Sequence, residues 1–147
     1  MGTFRNDLTT GHKAEKLVVK YLNSTTDKRA VHLDYEREIA DIFWNEKYIE
    51  VKSVKGLWEN FTAETFAIHD GIEKVPQYLT HSGQIDLIVY VAFDEKLMYL
   101  YDAKLFTEWV LKNKDKEFII GQGTAKVIKF PKKGAEVGYI KGGFCGC

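Results

Sequence analysis

The sequence predicts an α/β or α+β protein built on a mixed β-sheet, and three observations carry that prediction. An amphipathic helical repeat opens the chain, a series of short segments rich in β-branched and aromatic residues follows, and a continuous apolar strand leads into a second amphipathic repeat. The 147 residues, 45% apolar and 14% aromatic, suffice for one well-filled core. Residues 1–147 are therefore read as a single domain, with a basic, glycine-rich C-terminal segment from about residue 115.

From Thr10 to about Leu22 the apolar residues Ala14, Leu17, Val18, Tyr21 and Leu22 recur at helical spacing, with Thr9 or Thr10 as N-cap and Asn23-Ser24 to end the turn. Glu15 lies beside this stripe, at the margin of the core, where a surface lysine is the ordinary partner. The period then changes. Ala30 to Tyr35, Ile39 to Trp44 and Tyr48 to Val54 read as three short strands. The break Asn45-Glu46-Lys47 leaves room only for a tight hairpin between the second and third. With Asn45 and Glu46 as loop residues, Trp44 faces Lys47, Phe43 faces Tyr48, and Asp41 faces Glu50.

After a polar stretch containing Trp58, a strand is expected through Thr62 to Ile68, and a short helix or loop over 72–81 starts near Pro76. Ile85 to Phe93 is an apolar run suited to a strand covered on both faces, and Lys96 to Tyr101 alternates behind an Asp94-Glu95 turn. Asp102 is placed to cap a second helix whose stripe is Leu105, Phe106, Trp109 and Val110, with Lys112 and Lys114 suiting its C-terminal dipole. A last strand, Thr124 to Phe130, ends at Pro131, and a loose tail is expected beyond it.

Composition excludes several classes. Two prolines and 29% charged residues do not fit a disordered or fibrous chain. No apolar run approaches the roughly 18 residues that span a bilayer, and the first residues lack the basic start and apolar middle of a secretory signal, so a soluble, cytoplasmic protein is expected. Cys145 and Cys147, in the terminal Gly-Gly-Phe-Cys-Gly-Cys, are read as free thiols of a tail, without a zinc site or disulfide scaffold. His12, His32, His69 and His81 form no paired motif, which gives imidazole-based metal chemistry little support. Net charge is zero, yet eight lysines against Asp115, Glu117 and Glu136 leave residues 111–147 at +5 and the first 110 at −5.

The chemistry-bearing segment is Ile39-Ala-Asp41-Ile-Phe-Trp-Asn-Glu-Lys-Tyr-Ile-Glu50-Val-Lys52-Ser-Val. Strand alternation puts Glu50 and Lys52 on one face and Val51 on the other, and the hairpin register brings Asp41 to them at one sheet edge. Two carboxylates so placed repel, and a hard divalent cation removes the conflict. Magnesium suits two carboxylates, a strand carbonyl such as that of Val51, and a substrate phosphate. Lys52 beside it is placed to orient water or to stabilise transition-state charge. Such a site hydrolyses phosphodiesters.

These residues resemble the PD-(D/E)xK nuclease superfamily, in which an acidic residue, a gap, and Glu-x-Lys on the next strand form the motif: here Asp41 and Glu50-Val51-Lys52, with Ala40 where a proline often stands. Glu15, in Gly11-His-Lys-Ala-Glu15, looks like the helical glutamate that many members carry. The resemblance covers about residues 10 to 110. It implies a restriction-endonuclease-like mixed sheet flanked by helices, a Mg2+-dependent DNA endonuclease in which Mn2+ is able to substitute, catalytic Asp41, Glu50, Lys52 and Glu15, and metal ligation by Asp41, Glu50 and Val51. If the chain is phage-encoded, its location is the host cytoplasm. DNA is the expected partner, met by a homodimer or higher symmetric oligomer, because so short a chain has little room to read a long site and two strands call for two sites. The alternative is a nucleic-acid-binding protein or accessory subunit that keeps the fold without hydrolysis.

Lesser candidates are Glu64, which on the next strand approaches the same metal or lies exposed, Lys55 as a phosphate contact, and Gln77 and Gln84 as assisting polar residues. Gly121-Gln-Gly-Thr-Ala-Lys126 lacks the ending of a phosphate loop and reads as a turn before a strand. Trp44, Trp58 and Trp109 read as packing residues.

Overall fold

The first amphipathic repeat folds as α1, Phe4–Thr25, and buries Ala14, Val18 and Leu22. In the computed structural model the described residues are 4–33, 40–55, 60–69, 71–80, 83–120, 125–131 and 139–143. The helix begins a turn and a half earlier than the expected Thr9 or Thr10 cap, because Phe4 to Thr9 contains no Pro or Gly and threonine's capping preference is a weak signal. Its other end is closed by side chains: the Thr26 hydroxyl donates to the Leu22 carbonyl at 2.6 Å, and Asn23 Oδ1 accepts from the Ala30 N–H at 2.7 Å. The second bond aims the chain into β1, Ala30–His32.

Next come β2, Ile42–Trp44, and β3, Lys47–Val54, paired as Trp44↔Lys47, Phe43↔Tyr48 and Ile42↔Ile49, in the register read from the sequence. Asn45 and Glu46 have φ of 50° and 61°, the left-handed conformation that a type I′ turn requires of both loop residues. β4, Asn60–His69, β5, Ile72–Lys74, and the short α2, Gln77–Thr80, precede β6, Leu87–Ala92, and β7, Leu97–Asp102. Asp102 caps α3, Ala103–Lys112, accepting from the Leu105 N–H at 3.0 Å. β8, Phe118–Ile120, β9, Ala125–Pro131, and β10, Tyr139–Gly143, complete the described chain.

These strands make two sheets. One runs β1-β2-β3-β6-β7-β10, with β3 and β6 parallel and its other neighbours antiparallel; the second runs β5-β4-β9-β8, antiparallel throughout. The fold class is thus mixed α+β, as expected. β3 lies inside the six-stranded sheet, so the Glu50-Val51-Lys52 triplet sits on an interior strand and not at the expected sheet edge. The second sheet was not anticipated as a separate layer. The described parts of the C-terminal segment are no loose tail: β8 and β9 pair into the second sheet, and β10 adds to β7 over five residue pairs. Backbone pairing there outweighs glycine's conformational freedom.

Period-two alternation gives the six-stranded sheet two cores. Ile42, Ile49, Val89, Val91 and Met98 pack against α1, whereas Ile88, Tyr90, Ala92, Tyr99 and Tyr101 pack with Phe61, Ala63, Ile128 and Phe130 of the second sheet and with Phe106 and Val110 of α3. This explains the unbroken apolar run of β6, which is covered on both faces. The buried face of α3 is Ala103, Phe106, Thr107 and Val110, while Leu105, expected in the stripe, is 39% exposed. Trp44 and Trp109 pack at the edges of the two cores. Trp58, Tyr35, Ile39, His81, Gly121 to Thr124, Cys145 and Cys147 lie outside the described residues.

Candidate functional site

Glu50 and Lys52 project from β3 away from α1, while Val51 packs toward it. They line a cleft of about 370 Å3 between the sheets, together with Ser53, Thr62, Glu64, Tyr78 and Tyr90. Glu50 is only 8% exposed. Lys52 Nζ stands 3.9 Å from its Oε1, and Oε2 is buried without a hydrogen-bond partner. Burial pushes the Glu50 carboxyl above its ordinary pKa, with Asp41 and Glu64 adding to the rise and Lys52 opposing it.

Asp41 is held differently from the expected cross-strand pair. The ladder stops at Ile42↔Ile49, and Asp41 sits in the bend before it, its N–H donating to the Ile49 carbonyl at 3.0 Å. Its carboxylate takes over the next rung: Oδ2 accepts from the Val51 N–H at 2.7 Å. One side chain thereby fixes the end of the hairpin and brings a carboxylate beside the Glu50-Val51-Lys52 triplet. Burial raises its pKa, and the Val51 bond, Lys52, His32 and His12 oppose that rise.

Glu15 comes from α1 to the same neighbourhood. Its partner is not a surface lysine: Oε1 meets His32 Nε2 at 3.1 Å, and His12, Glu15, Lys16, His32 and Leu33 line a second cleft of about 250 Å3. Burial and the Asp41 charge raise its pKa, while His32 and His12 lower it. The two histidines escaped the sequence reading because they are 20 residues apart and only the packing of β1 beside α1 joins them.

Glu64 is half-buried and lines the Glu50 cleft, so it is not the freely exposed strand carboxylate of one sequence alternative. Lys55 and Gln84 are exposed, and the side chain of Gln77 is outside the described residues. Asp86, which the sequence reading passed over, fastens the parallel β3–β6 pair: its Oδ2 accepts from the Tyr48 N–H, its own N–H donates to the Tyr48 carbonyl, both at 2.9 Å, and its carbonyl takes the Ala103 N–H. Among the described residues no three His, Cys, Asp or Glu side chains form a ready metal cage. The donor set that fits a hard cation is instead two carboxylates with one orphaned buried oxygen, beside a strand carbonyl. No helix among the described residues is long and apolar enough to cross a membrane.

No family model and no curated protein matches the chain. Among solved structures it is similar to the bacterial homing endonuclease I-Ssp6803I, with a TM-score of 0.55 and 12% sequence identity over 88% of this chain and 78% of that one. At that identity the likeness is one of fold.

Proposed function

We propose that the chain is a metal-dependent DNA endonuclease of the PD-(D/E)xK kind. The observation that carries the reading is Glu50: a carboxylate 8% exposed, with one oxygen lacking any hydrogen-bond partner, beside Lys52 and near a second, partly buried carboxylate, Asp41. Lys52 at 3.9 Å compensates one of its oxygens, and a poorly paired buried carboxylate costs several kcal/mol, on the order of the penalty for one such ion, which a bound cation would offset. The likeness in fold to a homing endonuclease supports DNA as the substrate class.

Asp41 and Glu50 would hold a divalent cation through their carboxylate oxygens. The Val51 carbonyl would add a third, since a strand residue's N–H and C=O point the same way and the Val51 N–H points at Asp41. Bound there, magnesium, or manganese in its place, would supply Lewis acidity to offset charge on a scissile phosphate. Lys52, which lines the same cleft, would orient the attacking water or donate to a non-bridging oxygen. Glu15, steadied by His32, adds a carboxylate on the α1 side of Asp41. Both strands of a duplex are cut by two such sites in a symmetric homodimer.

Plasmid or branched DNA incubated with the protein and magnesium is expected to be cleaved, with EDTA, Lys52→Ala and Asp41→Asn each lowering the rate at least about 100-fold, the scale of losing a catalytic group. Equal cleavage by wild type and variants exposes a contaminant. Salt-sensitive binding without cleavage, indifferent to magnesium, replaces the enzyme by a DNA-binding protein on the same fold.

A further inference from the structure

Among the described residues β8 is an outer strand of the second sheet. A 3-10 turn, Lys114–Lys116, packs against β9 and leads into it, and its three residues are all apolar and all exposed: Phe118 by 38%, Ile119 by 64% and Ile120 by 43%. Edge strands are ordinarily guarded by a charge, a proline or a bulge, and this one has none within the strand, which marks it as a contact surface. Cross-strand neighbours share a face of the sheet. Phe118 is opposite Val127, and Val127 opposite Glu64, both of which line the Glu50 cleft; Ile120, two residues on, lines it too. Lys129 is opposite Thr62, a further lining residue, and its Nζ stands 5.9 Å from the centre of the Phe118 ring. The wall of the cleft thus continues past Ile120 to an exposed ring with an ammonium beside it.

We propose that this side of β8 and β9 docks an unpaired nucleotide of the DNA strand flanking the scissile bond, its base stacking on Phe118 and its phosphate meeting Lys129. It rests on the reading of the Glu50 cleft as a nuclease site, and it names the substrate class: DNA with an unpaired segment, such as a flap, a junction or an overhang. The charge selects a polyanion. Lys114, Lys116, Lys126 and Lys129 flank β8 against Asp115 and Glu117, and Glu117 is paired with Lys126 at 3.9 Å. A second copy placed edge to edge on β8 would set these lysines against their own kind, whereas DNA phosphates neutralise them. The apolar surface selects the unpaired form. A duplex presents phosphates and groove edges and hides its base faces; an unpaired strand offers those faces, which stack on aromatic rings whatever their sequence.

The test is fluorescence anisotropy with labelled DNA in EDTA, where binding is read without cleavage, on a blunt duplex and on the same duplex carrying a single-stranded flap of either polarity. Wild type is expected to bind at least one flapped form at least about tenfold more tightly than the blunt duplex, the scale of one base stacked on an aromatic ring. Phe118→Leu, which keeps an apolar side chain but no ring, is expected to erase that preference and Phe118→Trp to keep it, with folding checked by circular dichroism. Lys129→Gln is expected to weaken both forms and to lower the salt slope by about one. No preference for a flap in the wild type, or one that Phe118→Leu leaves intact, overturns the platform, while magnesium-dependent plasmid cleavage by the wild type still decides the nuclease reading. A concentration-dependent dimer that Ile119→Lys splits, with Phe118→Leu silent on DNA, puts a second copy on this edge instead. Wild type that neither binds nor cleaves any DNA overturns both.

Discussion

Glu50, Asp41 and Glu15 each hold a proton more tightly in the folded chain than in solvent, and burial is the largest cause for all three. A carboxyl with a raised folded pKa lends its stability in full below the unfolded value, near 4.5 for glutamate, and loses it as pH rises through the folded one. The metal-free Glu50→Gln variant is therefore expected to gain stability over wild type as pH climbs through that window, in urea melts at about pH 5 and about pH 8; a difference that stays constant or shrinks contradicts the buried charge. Magnesium or manganese is expected to raise the melting temperature of wild type, by about 2.7 kcal/mol of stability at a hundredfold excess over Kd. Asp41→Asn is expected to lose most of that gain while leaving the metal-free protein unharmed, because the asparagine oxygen still accepts from Val51 and one of the repelling charges is gone. Asp41→Ala removes the acceptor as well and is expected to cost about 1–3 kcal/mol without metal.

The β2–β3 hairpin decides whether the site exists, for a slip of one residue turns Glu50 and Lys52 toward α1. Its turn is not made of ideal residues. Asn45 tolerates the left-handed conformation, but Glu46 has a Cβ that this conformation crowds. Glu46→Gly is expected to raise stability by up to about 1 kcal/mol with the same register and undiminished cleavage, as read by denaturant melts and plasmid assays. At α3, Asp102→Ala removes the side-chain cap on the Leu105 N–H and is expected to cost about 1 kcal/mol. Loss at Asp102 without loss of metal binding would separate the stability of the helix from that of the site.

At the scale of the molecule, the cleft that holds Glu50 depends on how two sheets meet. Phe61 stacks on Tyr90 with ring centroids 5.0 Å apart, and Phe130 packs edge-on against Phe106 at 4.9 Å, an aromatic layer that holds β4 and β9 against the six-stranded sheet. Phe61→Ala is expected to cost about 3–5 kcal/mol, read by denaturant melts, because the layer joins the two sheets that line the Glu50 cleft. The homodimer proposed for cutting both strands is checked by light scattering at micromolar concentration, free and on DNA, where a monomer in both conditions speaks against it.

Local chemistry in the sequence determined the elements that local forces build: α1 from its apolar spacing, the hairpin register from a two-residue loop, the Asp102 cap, and the Glu50-Val51-Lys52 alternation. Those depend on neighbours within a few residues, and the residues state them. Tertiary structure alone decided the rest. That Asp41 lies in a bend and spends one oxygen on Val51, that His32 and not a lysine meets Glu15, that Asp86 fastens a parallel pair across 38 residues, and that Glu64 shares a cleft with Glu50 are outcomes of chain closure. The second sheet was hidden for the same reason: β4 and β9 lie some sixty residues apart, and the pattern of a strand names its buried face without naming the partner that buries it.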